Sequence, residues 1–486
     1  MKKNILLVLS IVILLQFQSY SQYVSPGNAS SFTLENLVEI SAGVVTLDGS
    51  SYHINDDITI SSTDTLSILE DGLLYIHEGI RVTIEGVFLT NPPSVFEIKK
   101  ANMENNFNGF RFDNSSASVL KGLLVSGGGG IKLVNSDLEI RNCSFSNFGQ
   151  EYTTGTIDVY QSNPLIRDCS FTSNTGPAIM SGANTESSPQ IINNILSFNV
   201  TGNGNTPQIN LGTSDGLLSI LIDSNHIFGQ YEMAGGIAIS TLIGGSINAV
   251  ITNNEVSYNR YGITQIGDNI SSVISNNSIV GNNIQDDPMQ GGSGINFMGG
   301  TSNTSIVSHN TIVQNLWGIT IQLNAQPNFG DGTDESPGHN QIMLNENNSI
   351  IYALYNNTPQ DIMAINNFWG TTDISTAEDY IFHETDDASL GFVSFLPMWI
   401  GPVGIVENKV PSIQIYPNPS TNYFEISREN NSNIHYEIFS MNGALRSHGD
   451  LINGEKRVSI ESLSEGVYMV KLYSNHSFYT EKLIVQ

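Results

Sequence analysis

Positive charge is what this chain has least of: 18 Lys and Arg among 486 residues, against 46 Asp and Glu, a formal net charge of −28. The deficit is deepest in the middle. Between Asp168 and Asn408 one basic residue, Arg260, stands against 21 carboxylates. Nucleic acid and anionic membranes both need clustered Lys and Arg, so neither is expected as a partner. Cysteine is nearly absent, with only Cys143 and Cys169, which excludes a disulfide-stapled scaffold. No apolar run reaches the roughly 20 residues of a membrane-spanning helix. One shorter run, Ile5 to Leu15, follows Lys2 and Lys3 and precedes the small residues Ser19 and Ser21. That order predicts a secretory signal peptide over 1–21, cut between Ser21 and Gln22. No Cys follows the run, so no lipid anchor is expected. A sustained 3.6-residue apolar period is also missing, which argues against a helical fold.

What the chain has in excess is repetition. Eight times between residues 140 and 369 it writes aliphatic, any residue, polar, Asn or Cys, any residue, apolar. The copies begin at Ile140, Ile166, Ile191, Ile222, Ile251, Ile274, Val307 and Ala364. Their fourth positions are Cys143, Cys169, Asn194, Asn225, Asn254, Asn277, Asn310 and Asn367. A repeat accounts for its own residues before any chemistry is invoked. The first and last residues of each copy are expected to point inward and their neighbours outward. Between them a tight turn is expected, where Asn tolerates left-handed backbone and bonds nearby peptide groups. Stacked coils then put these Asn in a ladder. After each turn the chain wanders and restarts at Gly plus an aliphatic, as at Gly236-Ile237, Gly262-Ile263, Gly294-Ile295 and Gly318-Ile319. Ladder spacings of 26, 25, 31, 29, 23 and 33 up to Asn310 fit one short coil plus a variable loop.

The two cysteines share one phase of consecutive copies, about one strand spacing, roughly 4.8 Å, apart in a stack. That separation fits a disulfide, which export would permit. It fits equally two buried thiols replacing Asn. A catalytic thiol would need a His partner that this segment lacks.

The pattern resembles the right-handed parallel β-helix repeat family, the fold of pectate lyases and of many secreted non-enzymatic proteins, over roughly residues 40 to 400. The resemblance implies an all-β solenoid. Leu66-Ser67-Ile68, Leu74-Tyr75-Ile76 and Val82-Thr83-Ile84 fit its earlier coils, and Phe110 to Ser115 fits a strand ending in a polar turn. Asn366 to Thr371 is similar to a closing coil, with Gly391 to Pro397 as the last strand. Trp369 and Trp399 are expected to cover the open end, which a solenoid must cap.

Beyond Glu407 the charge balance changes, since Lys409 to Gln486 holds 7 basic and 8 acidic residues. A domain boundary is expected there. Tyr416-Pro417-Asn418-Pro419-Ser420 opens this segment and Met441-Asn442-Gly443 reads as a hairpin turn. Leu463 to Lys471, containing Gly466 and Tyr468, leads to Lys482-Leu483-Ile484-Val485. In this order the motifs resemble the type A sorting domain of the type IX secretion system of Bacteroidota. The resemblance implies a small Ig-like β-sandwich that engages the type IX secretion machinery, directs outer-membrane transit and is usually removed on the way. The expected organisation is a signal peptide over 1–21, a parallel β-helix over 22–405, and a linker with sorting domain over 406–486. The mature protein is expected outside the cell or on the outer-membrane surface.

In enzymes of this fold, the resemblance implies, the site lies on the strand that follows the Gly. Stacking the coils gives one outward column there: Arg111, Lys132, Asp158, Met180, Asn210, Ala238, Thr264, Asn296 and Thr320. A hydrolase needs two carboxylates at a defined separation. The column offers Asp158 alone, expected to pair with Lys132 on the neighbouring strand. A lyase acting on uronic acids needs calcium and a cation beside the sugar carboxylate, and beyond Arg167 the helix offers only Arg260. Arg141 and Arg167, equivalent in adjacent coils, read as an anion site or a solvated face. Asp331, Asp334 and Glu335 on one Gly-bearing turn suit Ca2+ but lack the spacing of a calcium loop. Asp286 with Asp287, and Asp386 with Asp387, are weaker candidates. His226, His309 and His339 share no metal-ligand spacing. Tyr261 and Trp317 precede the Gly of two near-identical phrases, Asn259-Arg260-Tyr261-Gly262-Ile263-Thr264 and Asn315-Leu316-Trp317-Gly318-Ile319-Thr320. Rings at matched positions either stack on sugars or pack the rim. No catalytic residue is assigned. The leading expectation is an exported protein that binds glycan or surface material without catalysis. The alternative is a polysaccharide lyase or glycoside hydrolase with loop-borne residues, and the third reading is a structural spacer.

Overall fold

A computed structural model describes residues 22–102, 104–149, 154–400, 414–427, 434–440, 445–451, 456–474 and 477–486. The expected signal peptide, up to Ser21, lies outside these residues. Two compact units divide at residues 401 and 402. The expected boundary near 405 falls among residues 401–413, outside the described ones.

In the first unit each coil contributes three short strands. One coil reads Gly109–Asp113, Val119–Lys121, Leu123–Ser126, and the next Ile131–Val134, Glu139–Arg141, Ser144–Ser146. Counterparts one coil apart pair in parallel: Arg111 with Lys132, Leu120 with Ile140, Val125 with Phe145. Stacking builds sheets of 14, 12 and 13 strands from the first, second and third strands respectively. In several coils two turn residues in the left-handed region bracket the third strand and keep it short. Around Ser144–Ser146 they are Asn142 at φ 52° and Asn147 at φ 56°; around Ser278–Val280 they are Asn276 at φ 57° and Gly281 at φ 63°. This corrects the expected turn. The left-handed residue precedes the ladder Asn, whose side chain turns inward and is buried.

Burial obliges those amides to find partners. The Asn277 Oδ1 accepts from the backbone N–H and the Nδ2 of Asn254 at 2.9 and 3.0 Å. Its Nδ2 donates to the Ile251 carbonyl and to Asn310 Oδ1, both at 2.9 Å. The same pattern runs unbroken through Asn194, Asn225, Asn254, Asn277, Asn310, Asn340 and Asn367. Asn340 belongs to a ninth copy that the repeat pattern misses, because Pro337 stands where the aliphatic belongs. Cys143 and Cys169 hold the same corner as buried free thiols. Their sulfurs lie 3.6 Å from the Leu120 and Ile140 carbonyls, the counterparts of the carbonyl that Asn277 engages.

A second ladder, not read from the sequence, follows the third strand: Asn174, Asn199, Asn259, Asn282, Asn315, Asn345. Where Gln230 stands in place of the Asn and is exposed, Gln208 reaches across from the strand Thr206–Leu211. Its Oε1 accepts from Asn199 Nδ2 at 2.9 Å and its Nε2 donates to Asn259 Oδ1 at 3.0 Å.

Between the ladders the core is columnar. Ile166, Ile191, Ile222, Ile251, Ile274 and Val307 stack in register, fully buried. Each such side chain contributes about 1.5–3 kcal/mol. Two short helices were not foreseen. Leu34–Ile40, capped by Thr33, buries Leu34 and Leu37 against the first coils, and Ile374–Asp379, capped by Asp373, buries Ala377 at the other end. Trp369 is wholly buried in the core. Trp399 is not a lid, which corrects the expectation. Its backbone N–H donates to the Asn367 carbonyl and its half-exposed ring lies 5.3 Å from His339, on the outer turn column.

The second unit is antiparallel. Gln414–Tyr416, Tyr423–Ser427 and Arg457–Ser459 form one sheet; Leu445–Leu451, Ile434–Ser440, Gly466–Ser474 and Ser477–Val485 form the other. Phe424, Ile426, Ile438, Val470, Leu472 and Leu483 fill its core. Strands flank the hairpin turn read at Met441-Asn442-Gly443, while the turn itself lies outside the described residues. The fold is all-β, as read: a parallel β-helix followed by a small unit of antiparallel sheets.

Candidate functional site

The outward column read from the sequence is the register of the 14-stranded sheet, from Arg111 to Thr320. It continues through Tyr355 to Phe382. Toward that end the sheet floors a cleft of about 560 Å³ over Thr264, Asn296 and Thr320. The coils enter this sheet at Gly for a steric reason. A Cβ on Gly262 would sit 2.4 Å from the Gly294 carbonyl oxygen, so a larger residue would force the coils apart. The residues just before Gly262 and Gly318, Tyr261 and Trp317, both line the cleft. Ser293 lies between them in register, putting them two strand spacings, roughly 9–10 Å, apart.

The floor is a connected polar network. Asn296 Nδ2 donates to Thr264 Oγ1 at 2.8 Å. Its Oδ1 accepts from Thr320 Oγ1 and Gln322 Nε2, both at 2.8 Å. Ser293 and Thr320 share a hydrogen bond of 2.9 Å. These bonds fix the side chains before any ligand arrives, which lowers the ordering cost of binding.

The walls are aromatic. Trp317 donates its indole N–H to the Pro288 carbonyl at 3.0 Å, tying the ring to the loop that runs from residue 283 to 292. Its ring lies 4.6 Å from Tyr352 and 5.4 Å from Tyr355, and Tyr355 stacks on Phe382 at 4.7 Å with planes 6° apart. Tyr261 lies over Gly235, where any Cβ would meet its ring, and burial pushes its phenol up to about 12. Arg260 braces the same loop. It is 6% exposed, with Nε donating to Gln285 Oε1 at 2.6 Å, Nη2 to the Gln290 carbonyl at 2.7 Å, and Nη1 to Asn205 Oδ1.

Sequence reasoning found Tyr261, Trp317 and the floor column but missed Ser293, Gln322, Tyr352 and Tyr355. A signal was present. Tyr352-Ala353-Leu354-Tyr355 is the Trp317-Gly318-Ile319-Thr320 phrase with Ala for Gly, and that exchange hid the coil.

The remaining candidates are not brought together. Asp331 Oδ1 accepts from the Thr333 N–H and hydroxyl at 2.9 and 2.6 Å, and its Oδ2 accepts from Asn328 at 2.7 Å. These bonds hold its carboxyl below the usual range, while Asp334 and Glu335 are exposed. Asp287 caps its own turn through Met289 and Gln290, and Asp387 does so through Ser389. Among the described residues no group of three His, Cys, Asp or Glu converges as metal ligands would. Lys132 and Asp158 stand opposite each other on neighbouring strands, as expected, and the Lys132 charge favours the Asp158 carboxylate, while each side chain makes its close contact elsewhere. Lys132 lies over the Tyr160 ring at 4.2 Å, and Asp158 turns to accept from the Gly155 N–H at 2.6 Å. Burial pushes the Asp158 carboxyl up to about 6. Arg141 and Arg167 are each tied to a carboxylate on their own strand or turn, Glu139 at 3.1 Å and Asp168 at 2.7 Å. The Arg141 Nε is left buried without a hydrogen-bond partner among the described residues. His226 pairs with Glu255 at 2.9 Å. His309 and His339 meet edge to face at matched turn positions, 5.3 Å apart, beside a shallower cleft of about 340 Å³.

In the second unit the motif residues are tied to the final strand. Asn418 Oδ1 accepts from the Ile484 N–H at 2.9 Å, its Nδ2 donates to the Lys482 carbonyl, and Ser420 bridges to Val485. Tyr416 stays exposed, flanked by the cis bond to Pro417, and Asn418 precedes a second at Pro419. Tyr468 is buried, its hydroxyl donating to the Ser464 carbonyl at 2.8 Å, two residues from Gly466.

Three family models match along the chain: a right-handed beta helix region over residues 78–217, a protein of unknown function (DUF1565) over 230–374, and a secretion system C-terminal sorting domain over 414–486. The groove lies mostly within the second. No curated protein and no solved structure matches. Among the described residues no helix is long and apolar enough to cross a membrane. The chain is therefore a right-handed parallel β-helix protein with a C-terminal type IX sorting domain, which engages that secretion machinery and is carried to the cell surface or beyond.

Proposed function

We propose that the β-helix binds glycan in the groove over Thr264, Asn296 and Thr320, without cleaving it. One observation carries the reading: a pre-bonded floor of amides and hydroxyls lies under the aromatic wall of Trp317 and Tyr355. Sugars present the complementary surface, with hydroxyls at the ring edge and apolar C–H faces for stacking. Among the described lining residues there is no carboxylate, whereas glycoside hydrolysis by the usual route uses two. Purified protein should be retained on at least one plant, algal or host glycan. Trp317→Ala should weaken that binding by about tenfold or more, the loss of roughly 1.4 kcal/mol. No retention on any glycan would overturn the proposal.

A second reading, cleavage, is favoured by Asp158 alone, a buried carboxyl held near 6 on the same outward column. It lies four coils from Thr264, roughly 19 Å away. Product release from a polysaccharide panel, lost in Asp158→Asn, would establish it in place of binding.

A further inference from the structure

We infer that the groove selects an uncharged polysaccharide, laid along the solenoid axis with about one pyranose unit per coil, and turns away uronate and sulfated chains. This rests on the glycan-binding reading above and narrows it. The polar side chains of the floor are all amides or hydroxyls, and among the described residues the Gln322 side-chain oxygen accepts no hydrogen bond, leaving it for a sugar hydroxyl. The single charged side chain in the lining is Arg260, and it is already committed. Its three nitrogens each donate to a neutral protein acceptor, on Asn205, Gln285 and Gln290. With 6% exposure it serves as a strut for the wall, unlike a surface cation awaiting a partner.

The field around that strut is acidic. From Asp168 to Asn408 no other Lys or Arg accompanies 21 carboxylates, and Asp286 and Asp287 stand in the wall loop itself. An entering carboxylate or sulfate would shed hydration against a repulsive field and meet no vacant counter-charge. A neutral chain avoids both costs. Its spacing also matches. Thr264, Asn296, Thr320 and Tyr355 follow one another across adjacent coils, at roughly 4.8 Å per step, close to the length of one sugar unit. Ring hydroxyls would then recur in step with the floor, and the Trp317–Tyr355 wall would close one end.

Calorimetry on the full chain tests this with gluco-, manno- and xylo-oligosaccharides of increasing length, beside oligogalacturonides, oligomannuronates and sulfated oligosaccharides, at low and high salt. An uncharged series should gain affinity up to about four units, level off, and ignore salt, whereas acidic chains should bind at least ~10-fold more weakly at low salt. Asn296→Ala should weaken the uncharged series by about tenfold. Tighter binding of an acidic chain at low salt, abolished by Arg260→Gln, would overturn the inference and make Arg260 the counter-charge, with glycan binding itself intact. Binding of neither class would overturn the glycan reading and this inference with it.

Discussion

The coils before residue 168 and the coils after it fill the same buried corners with different residues. In the earlier coils the corner holds Leu123 and then Cys143, with Cys169 at the junction, and the interior relies on rings, with Phe88 stacked on Phe112 at 6.5 Å. Their outer faces carry ion pairs: Lys99–Glu97, Arg111–Asp113, Arg141–Glu139 and Arg167–Asp168. In the later coils two Asn ladders occupy the corners and Ile columns the interior. Among the described residues there, Arg and Lys form no ion pair, and the only pairs involve His. Exposed pairs contribute little in any case, whereas a buried amide with several bonds holds one geometry strongly. The later coils thus gain regularity without surface cations, and that regularity gives the groove an even, uncharged floor.

The sharpest way to break this comparison is to delete one amide from the ladder. Asn277→Ala removes four side-chain hydrogen bonds and strands groups on Asn254 and Asn310. It should cost about 3–5 kcal/mol in chemical denaturation. Cys169→Ala, at the equivalent corner, should cost only about 1–2 kcal/mol, because a thiol is a weak donor. Equal losses would mean that the ladder holds the fold no better than its thiol substitutes.

Asp158 tests the boundary between the two regions by pH. Burial raises its folded value to about 6, against an unfolded value of about 3.9. The folded protein keeps this proton where the unfolded chain releases it, so stability falls as pH rises from about 4 to 6 and levels above. Asp158→Asn preserves an acceptor for the Gly155 N–H and should remove that slope. At pH 7 the variant should be about 2–3 kcal/mol more stable. A denaturation series from pH 4 to pH 7 that runs parallel for both proteins would disprove the assignment. The smallest effect is expected at the surface. Arg141→Ala, breaking a half-exposed pair with Glu139, should change stability by less than about 1 kcal/mol.

Much of the fold was legible because a stack repeats its constraints. Ile222 and Ile251 announce the same inward position, and Gly262, Gly294 and Gly318 the same close approach of backbones. Legibility failed where a substitution broke the phrase without breaking the coil. Pro337 masked the copy containing Asn340, and Ala353 masked the coil that brings Tyr355 to the groove and Tyr352 against Trp317. The second ladder was hidden for another reason. Its Asn residues end a strand and precede loops of variable length, and one rung, Gln208, comes from a different strand altogether.

By itself the sequence determined the periodic part of this protein: the coil, the inward and outward columns, the first ladder and the sorting motifs. Short-range patterns suffice there, because alternation and turn chemistry act over a few residues and a stack copies them. Only the tertiary structure decided what the loops do. Arg260 reaching Asn205 and Gln290, and Trp317 tied to Pro288, are meetings of residues 29 to 55 positions apart. No local pattern encodes those distances, and they are what turn a regular sheet into a walled groove with a neutral floor.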